Sequence, residues 1–164
     1  MPGATVDHVA HARVIRPVEP GDLAVFYRHQ ADPEAARMAV FRSRDEPAFT
    51  AHWERVLQRE DTTVRTVLAD DGAVAGNVLA FEIDGTPLVG YWIGREYWGR
   101  GLATRALLAL LDELPRRPLY AHVARSNAGS IRVLEKCGFA IVDERSVFDE
   151  ALGTAVDELV LRLS

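Results

Sequence analysis

Gly99 and Gly101 stand where a run suited to a strand, Tyr91-Trp92-Ile93, passes through a short loop into the most strongly periodic helix of the sequence. A junction of that kind can hold an anion. The first backbone N–H groups of a helix lack internal partners and lie at the positive end of its dipole, and glycine lets a pyrophosphate approach with no Cβ in its path. The same pair also serves a plain chain reversal, and a lone Gly-x-Gly does not decide between the two uses. The Gly-Lys-Ser/Thr ending of a P-loop is missing, as is the full Gly-x-Gly-x-x-Gly of a dinucleotide fold. Two other features carry less. His8 and His11 have the spacing of metal ligands but no third ligand in view, so no metal is expected. Cys137, the single cysteine, precedes a glycine suited to closing a helix and reads as a buried structural thiol, not an acyl carrier.

The elements that must position this loop follow from periodicity and punctuation. Val14 and Ile15 predict a first strand, ended by Pro17 and Pro20 before Asp22, which is placed to cap a helix from Leu23. A segment after Asp32-Pro33 holds Met38, Val40 and Phe41, and Asp45 with Pro47 marks a further helix carrying Phe49, Trp53, Val56 and Leu57. Met38, Phe41 and Trp53 suit either the core or the lining of a substrate cleft. Alternation through Val64, Thr66 and Leu68 up to Asp71-Gly72, and then from Ala73 to the second turn at Asp84-Gly85, predicts a meander whose third strand runs from Leu88 to Ile93. The strong helix spans about Arg100 to Leu114, with Ala103, Ala106, Leu107, Leu110, Leu111 and Leu114 on one stripe and Pro115 beyond it. A strand from Leu119 to Val123, a helix from about Ala128 to Lys136 closed by Gly138, and two strands joined at Leu152-Gly153 complete the order. The result is an α/β (α+β) domain with a mixed, mostly antiparallel sheet.

The 164 residues fit one domain, read as 13–164 after a loose tail of residues 1–12. The net charge of −5, with cationic residues scattered singly, argues against a nucleic-acid partner. One cysteine excludes an internal disulfide, and no apolar stretch approaches the roughly 20 residues that span a bilayer, so neither a membrane nor a signal peptide is expected and a cytoplasmic location follows by default.

Trp98-Gly99-Arg100-Gly101-Leu102-Ala103 resembles the pyrophosphate-binding motif Gln/Arg-x-x-Gly-x-Gly/Ala of the GNAT N-acetyltransferases. Asn127-Ala128-Gly129-Ser130, continuing to Gly138-Phe139, is similar to that family's Asn-x-x-Ser/Ala helix. With Trp at the first position of the motif and the preceding Gly90-Tyr91-Trp92-Ile93, the resemblance is strongest to the branch of ribosomal-protein alanine N-acetyltransferases. It implies the GNAT fold, a seven-stranded sheet flanked by four or five helices, with acetyl-CoA in a cleft between splayed strands four and five. It also implies an amine acceptor, a protein N-terminus or a small molecule, attacking directly in a ternary complex, in a monomer or homodimer. Main-chain groups of Trp92 and Ile93 should meet the pantetheine, and amides of Gly99, Arg100, Gly101, Leu102, Ala103 and Thr104 the pyrophosphate. Asn127 would contact the cofactor with its side-chain amide, cap its helix, or do both.

Amine acetylation needs a neutral amine, a stabilised oxyanion and, optionally, an acid for the thiolate. Many family members place a Tyr seven residues after the Asn as that acid; Leu134 stands there, so Ser130 becomes the candidate, its alternative use being a small residue that admits the cofactor. The branch often carries an acid two residues before Gly-Tyr-Trp, where this chain has Leu88; Glu82, late in the preceding strand, is the substitute base, and His122, with an intrinsic pKa near 6.5, a second. The missing Tyr and acid also motivate the alternative of a non-catalytic CoA-binding regulatory domain.

Overall fold

Turn chemistry sets the meander. The computed structural model describes residues 14–164, so the 1–12 tail and the His8/His11 pair lie outside the described residues. Gly72 at φ +85, and Asp84 and Gly85 at φ +51 and +80, adopt the positive angles that reverse a hairpin tightly. They join β2 (Thr63–Leu68), β3 (Val74–Ile83) and β4 (Thr86–Ile93). Before them come β1 (Ile15–Pro17), α1 (Asp22–Ala31), α2 (Pro33–Ala39) and α3 (Glu46–Gln58); after them a 3₁₀ turn over Arg95–Tyr97, α4 (Leu102–Glu113), β5 (Leu119–Ala124), α5 (Ala128–Lys136), β6 (Ala140–Asp149) and β7 (Thr154–Leu163). The expected α/β order is therefore present, with three helices between the first two strands.

The strands form one seven-stranded sheet in the order β1-β2-β3-β4-β5-β7-β6. Every neighbouring pair is antiparallel except β4 and β5, which run parallel and share a single registered pair, Leu88 with Tyr120. Beyond that pair no ladder joins β4 towards Ile93 to β5 towards Ala124: the splay that the resemblance implies. Alternation along the strands divides the core in two. Val67, Val78 and Leu161 pack with Ala106, Leu107 and Leu110 of α4, and a second cluster of Phe26, Phe49, Trp53 and Val64 gathers α1 and α3, with Leu79 of β3 against it. Trp53 belongs to this core.

Two expectations change. Asp22 does not cap α1; Gly21 occupies that position with no side-chain bond. The Asp22 carboxylate instead accepts from both terminal nitrogens of Arg16, at 2.6 and 3.0 Å, from Thr66 Oγ1 at 2.7 Å and from the Glu19 amide at 2.8 Å. A bidentate guanidinium and a buried hydroxyl outcompete a single cap bond. The strong helix begins at Leu102, not Arg100, because Gly101 holds the left-handed φ of +74 immediately before it. Asp45 does cap α3, accepting from the Ala48 amide at 2.9 Å.

Candidate functional site

The chain from β4 into α4 builds one wall. Trp98 donates its indole Nε1–H to the Ile93 carbonyl at 2.9 Å, tying the end of β4 to the loop that follows. This is the structural use of the tryptophan at the first motif position, which its sequence position alone does not disclose. Gly99 and Gly101 both hold positive φ, and nothing lies within 4 Å of where a Cβ would stand on either. Immediately after them α4 starts without a side-chain cap, so its first amides have no partner inside the helix. A cradle of open glycines beneath an uncapped helix N-terminus fits a pyrophosphate.

The opposite wall is α5. Asn127 caps it, its side-chain oxygen accepting from the Ser130 amide at 3.2 Å, so the capping use is real and the amide nitrogen remains for a ligand. Between the walls opens a cleft of about 420 Å³. It brings together Trp92, Ile93, Gly99, Gly101, Leu102, Ala103, Thr104, Asn127 and Ser130. Of the expected cofactor residues, Arg100 alone is not part of this lining; its guanidinium lies 5.6 Å from the Tyr97 ring centroid.

Tyr91 is the residue that sequence reasoning passed over. Its side chain crosses from β4 to α5, where its hydroxyl lies 2.8 Å from Ser130 Oγ and 3.2 Å from the Ser130 carbonyl. Burial pushes the phenol up to about 12, outweighing the opposing effect of its hydrogen bond with Ser130, so it stays protonated. Leu134, at the position of the family's Tyr, is buried in the core. Both Tyr91 and Ser130 line the cleft.

The two candidate bases lie elsewhere. Glu82 is at the far end of the β3–β4 ladder, opposite Pro87, and pairs with Arg116 in the segment leading into β5. His122 faces outward on β5, with Arg145 Nη2 3.1 Å from its Nδ1 and Glu158 3.9 Å from the same atom. Burial lowers the imidazole below its ordinary value, Glu158 raising it and Arg145 lowering it further. Cys137 is buried beneath α4, its thiol 3.7 Å from the Thr104 carbonyl and pushed up by burial to about 11, which keeps it neutral at ordinary pH. Among the described residues no three His, Cys, Asp or Glu side chains gather as a metal site, and no helix is long and apolar enough to cross a membrane.

Comparison with known proteins bears on this cleft. Residues 13–140 match the family described as acetyltransferase (GNAT) domain. The chain is 33% identical over 99 residues to the probable N-acetyltransferase YjcK of Bacillus subtilis, covering 56% of this chain and 55% of that protein. It is 31% identical over 144 residues to the spermidine N(1)-acetyltransferase of Escherichia coli, covering 82% and 76%. Among solved structures, the spermidine N-acetyltransferase of Vibrio cholerae in complex with CoA and spermine superposes with a TM-score of 0.77 at 18% identity, covering 91% and 93%. RimJ of Mycobacterium smegmatis in complex with CoA-disulfide gives 0.73 at 20%, covering 91% and 80%. The ribosomal-protein-S5-alanine acetyltransferase of Vibrio fischeri gives 0.70 at 18%, covering 90% of each chain, so the ribosomal-protein branch is one neighbour among several.

Proposed function

The chain belongs to the GNAT acetyltransferase family and is an acetyl-CoA-dependent acyltransferase, and from that premise we propose that it transfers the acetyl group to a primary amine by direct attack in a ternary complex. The observation that carries this reading is the splay of β4 from β5, which opens one cleft onto the glycine loop, the uncapped α4 N-terminus and the capped α5 N-terminus together.

Acetyl-CoA supplies the thioester carbonyl; the rest is done by this chain. Amides of Gly99 and of Gly101 through Thr104 would hold the pyrophosphate, and Asn127 would offer its side-chain nitrogen while its oxygen caps α5. The Ile93 carbonyl accepts from the Trp98 indole and keeps a second lone pair, so both its carbonyl and its amide are available to the pantetheine. Ser130 donates its hydroxyl hydrogen towards the departing sulfur. Tyr91, protonated and donating to Ser130 Oγ, holds that hydroxyl so that its own hydrogen points away from the phenol and into the cleft. No histidine or carboxylate is among the described residues lining the cleft, so the amine loses its proton to solvent, and turnover should rise with pH towards the pKa of the acceptor itself. Glu82 and His122 are left outside this scheme.

The spermidine acetyltransferases among the relatives make a polyamine one acceptor to test, and the ribosomal-protein-S5-alanine acetyltransferase makes a protein N-terminus another. The test is thermal unfolding with and without saturating acetyl-CoA, followed by thiol release across an amine panel. A raised midpoint, by about 2.7 kcal/mol of stabilisation when ligand is 100-fold above Kd, together with acceptor-dependent thiol release, is the expected result. A raised midpoint with no release from any amine would leave a CoA-binding regulatory domain, and no shift would remove the cofactor site.

A further inference from the structure

We propose that the acceptor is an amine with one ionisable nitrogen carried on an apolar skeleton, not a polyamine; this deepens the transferase reading above and rests on it. The cofactor's share of the cleft is set by the glycine loop and by α5, whose Arg132 and Lys136 are the charged side chains in the lining. What remains for the acceptor is the wall on the other side of β4, made by Ala35, Met38 and Ala39 of α2 with Trp92. Successive side chains of a strand point to opposite faces. Tyr91 accordingly reaches α5, while Trp92 turns towards Phe41, the two ring centroids 5.3 Å apart.

That wall presents methyl groups, a thioether and an indole, a surface suited to a methylene chain or a ring. The charged side chains among the described lining residues are both cationic, Arg132 and Lys136. The Arg44 guanidinium stands 5.5 Å from the centroid of Phe41, the ring that backs Trp92, and burial together with Arg55 lowers its pKa. The two acids at the start of α2 are paired with arginines: Glu34 with Arg37 at 2.5 Å and Asp32 with Arg95 at 2.8 Å. A second ammonium laid along this wall would give up its water, meet no carboxylate among the described lining residues, and share the cleft with the cations Arg132 and Lys136. A methyl group in the same place loses nothing. The preferred acceptor therefore differs from the polyamine for which the spermidine acetyltransferases are named, because of the apolar wall that α2 and β4 build.

The test uses an isosteric pair: putrescine, with an ammonium at each end of four methylenes, and n-pentylamine, with a methyl in place of one ammonium. Binding to the CoA-loaded protein is followed by calorimetry, and thiol release from acetyl-CoA is measured alongside. Pentylamine should be preferred by about 10-fold or more in both, the scale on which an apolar pocket discriminates. Met38→Glu should reduce or reverse that preference by giving the second ammonium a partner. Equal or better binding and turnover with putrescine or spermidine would overturn the inference alone, and so would a Met38→Glu protein whose preference is unchanged. No thiol release from any amine would overturn the transferase reading and this inference with it.

Discussion

At the scale of single residues, the pair Tyr91 and Ser130 stands where the family pattern is broken. With Leu134 buried, the side-chain hydroxyls that both line the cleft and bond to one another are these two, at 2.8 Å. Ser130→Ala should lower kcat by about 100-fold, the lower end of what a positioned proton donor contributes, while calorimetric affinity for acetyl-CoA is kept. Tyr91→Phe removes only the oxygen that orients Ser130. Its loss should be smaller, should appear in kcat and not in KM for acetyl-CoA, and should vanish in the Ser130→Ala background, because two groups acting as one unit are not additive. Independent losses from the two changes would mean that Tyr91 acts by another route. Glu82→Gln and His122→Ala, made in parallel, should leave turnover unchanged, since Glu82 is tied to Arg116 at the closed end of β4 and His122 to Arg145 and Glu158 on the outer face. A rate loss from either would return it to the site as a base.

At the scale of elements, the N-terminus of α4 and the turn before it make different demands on their glycines. Gly101 has φ +74 and open space around the missing Cβ, so Gly101→Val strains the backbone by about 1–2 kcal/mol and puts a side chain into the pyrophosphate cradle. Acetyl-CoA affinity should fall by calorimetry, with the far-ultraviolet dichroism of the fold retained. Gly94 is pressed against His29, whose Nε2 would stand 2.6 Å from a Cβ there, so Gly94→Ala should appear first as a lowered thermal midpoint. These elements were largely legible from sequence, because local chemistry writes them. Asp84-Gly85 makes a turn in any context, and the α4 stripe of Ala106, Leu107 and Leu110 can bury only one face. The illegible parts are those set by register between distant elements. The Asp84-Gly85 hairpin already places Glu82 beside the start of β4, away from the loop after Ile93, whereas nothing near Tyr91 announces a helix residue 39 positions on. Asp22 has the sequence signature of a cap because cap propensity is local, whereas its partners Arg16 and Thr66 come from β1 and β2.

For the whole molecule, these same buried polar groups set how stability depends on pH. Burial lowers the imidazole of His29 below its ordinary value, Glu96 pulling it up and Arg28 pushing it down, and its Nδ1 has no hydrogen-bond partner. Burial alone would raise the Asp22 carboxyl, but hydrogen bonds from Arg16, the Glu19 amide and Thr66 outweigh it and hold the group below the usual carboxylate range. A group whose folded pKa is depressed contributes stability that is present above its unfolded pKa and lost as pH falls through the folded one. Unfolding by urea at a series of pH values should therefore show two windows of loss. The first opens below about pH 6.5 as His29 is forced to charge, and the second below about pH 3.9 as Asp22 is protonated. Asp22→Asn separates them. At neutral pH it should destabilise by about 2 kcal/mol, the scale for hydrogen bonds that lose a charged acceptor, since Arg16 is half-buried and keeps contact with water. The gap between the wild-type chain and the variant should narrow only in the second window, because there the wild-type carboxyl becomes neutral too. A gap that stays constant down to the acid limit would mean that the link between β1, α1 and β2 is held by shape and hydrogen bonding, without the charge of Asp22.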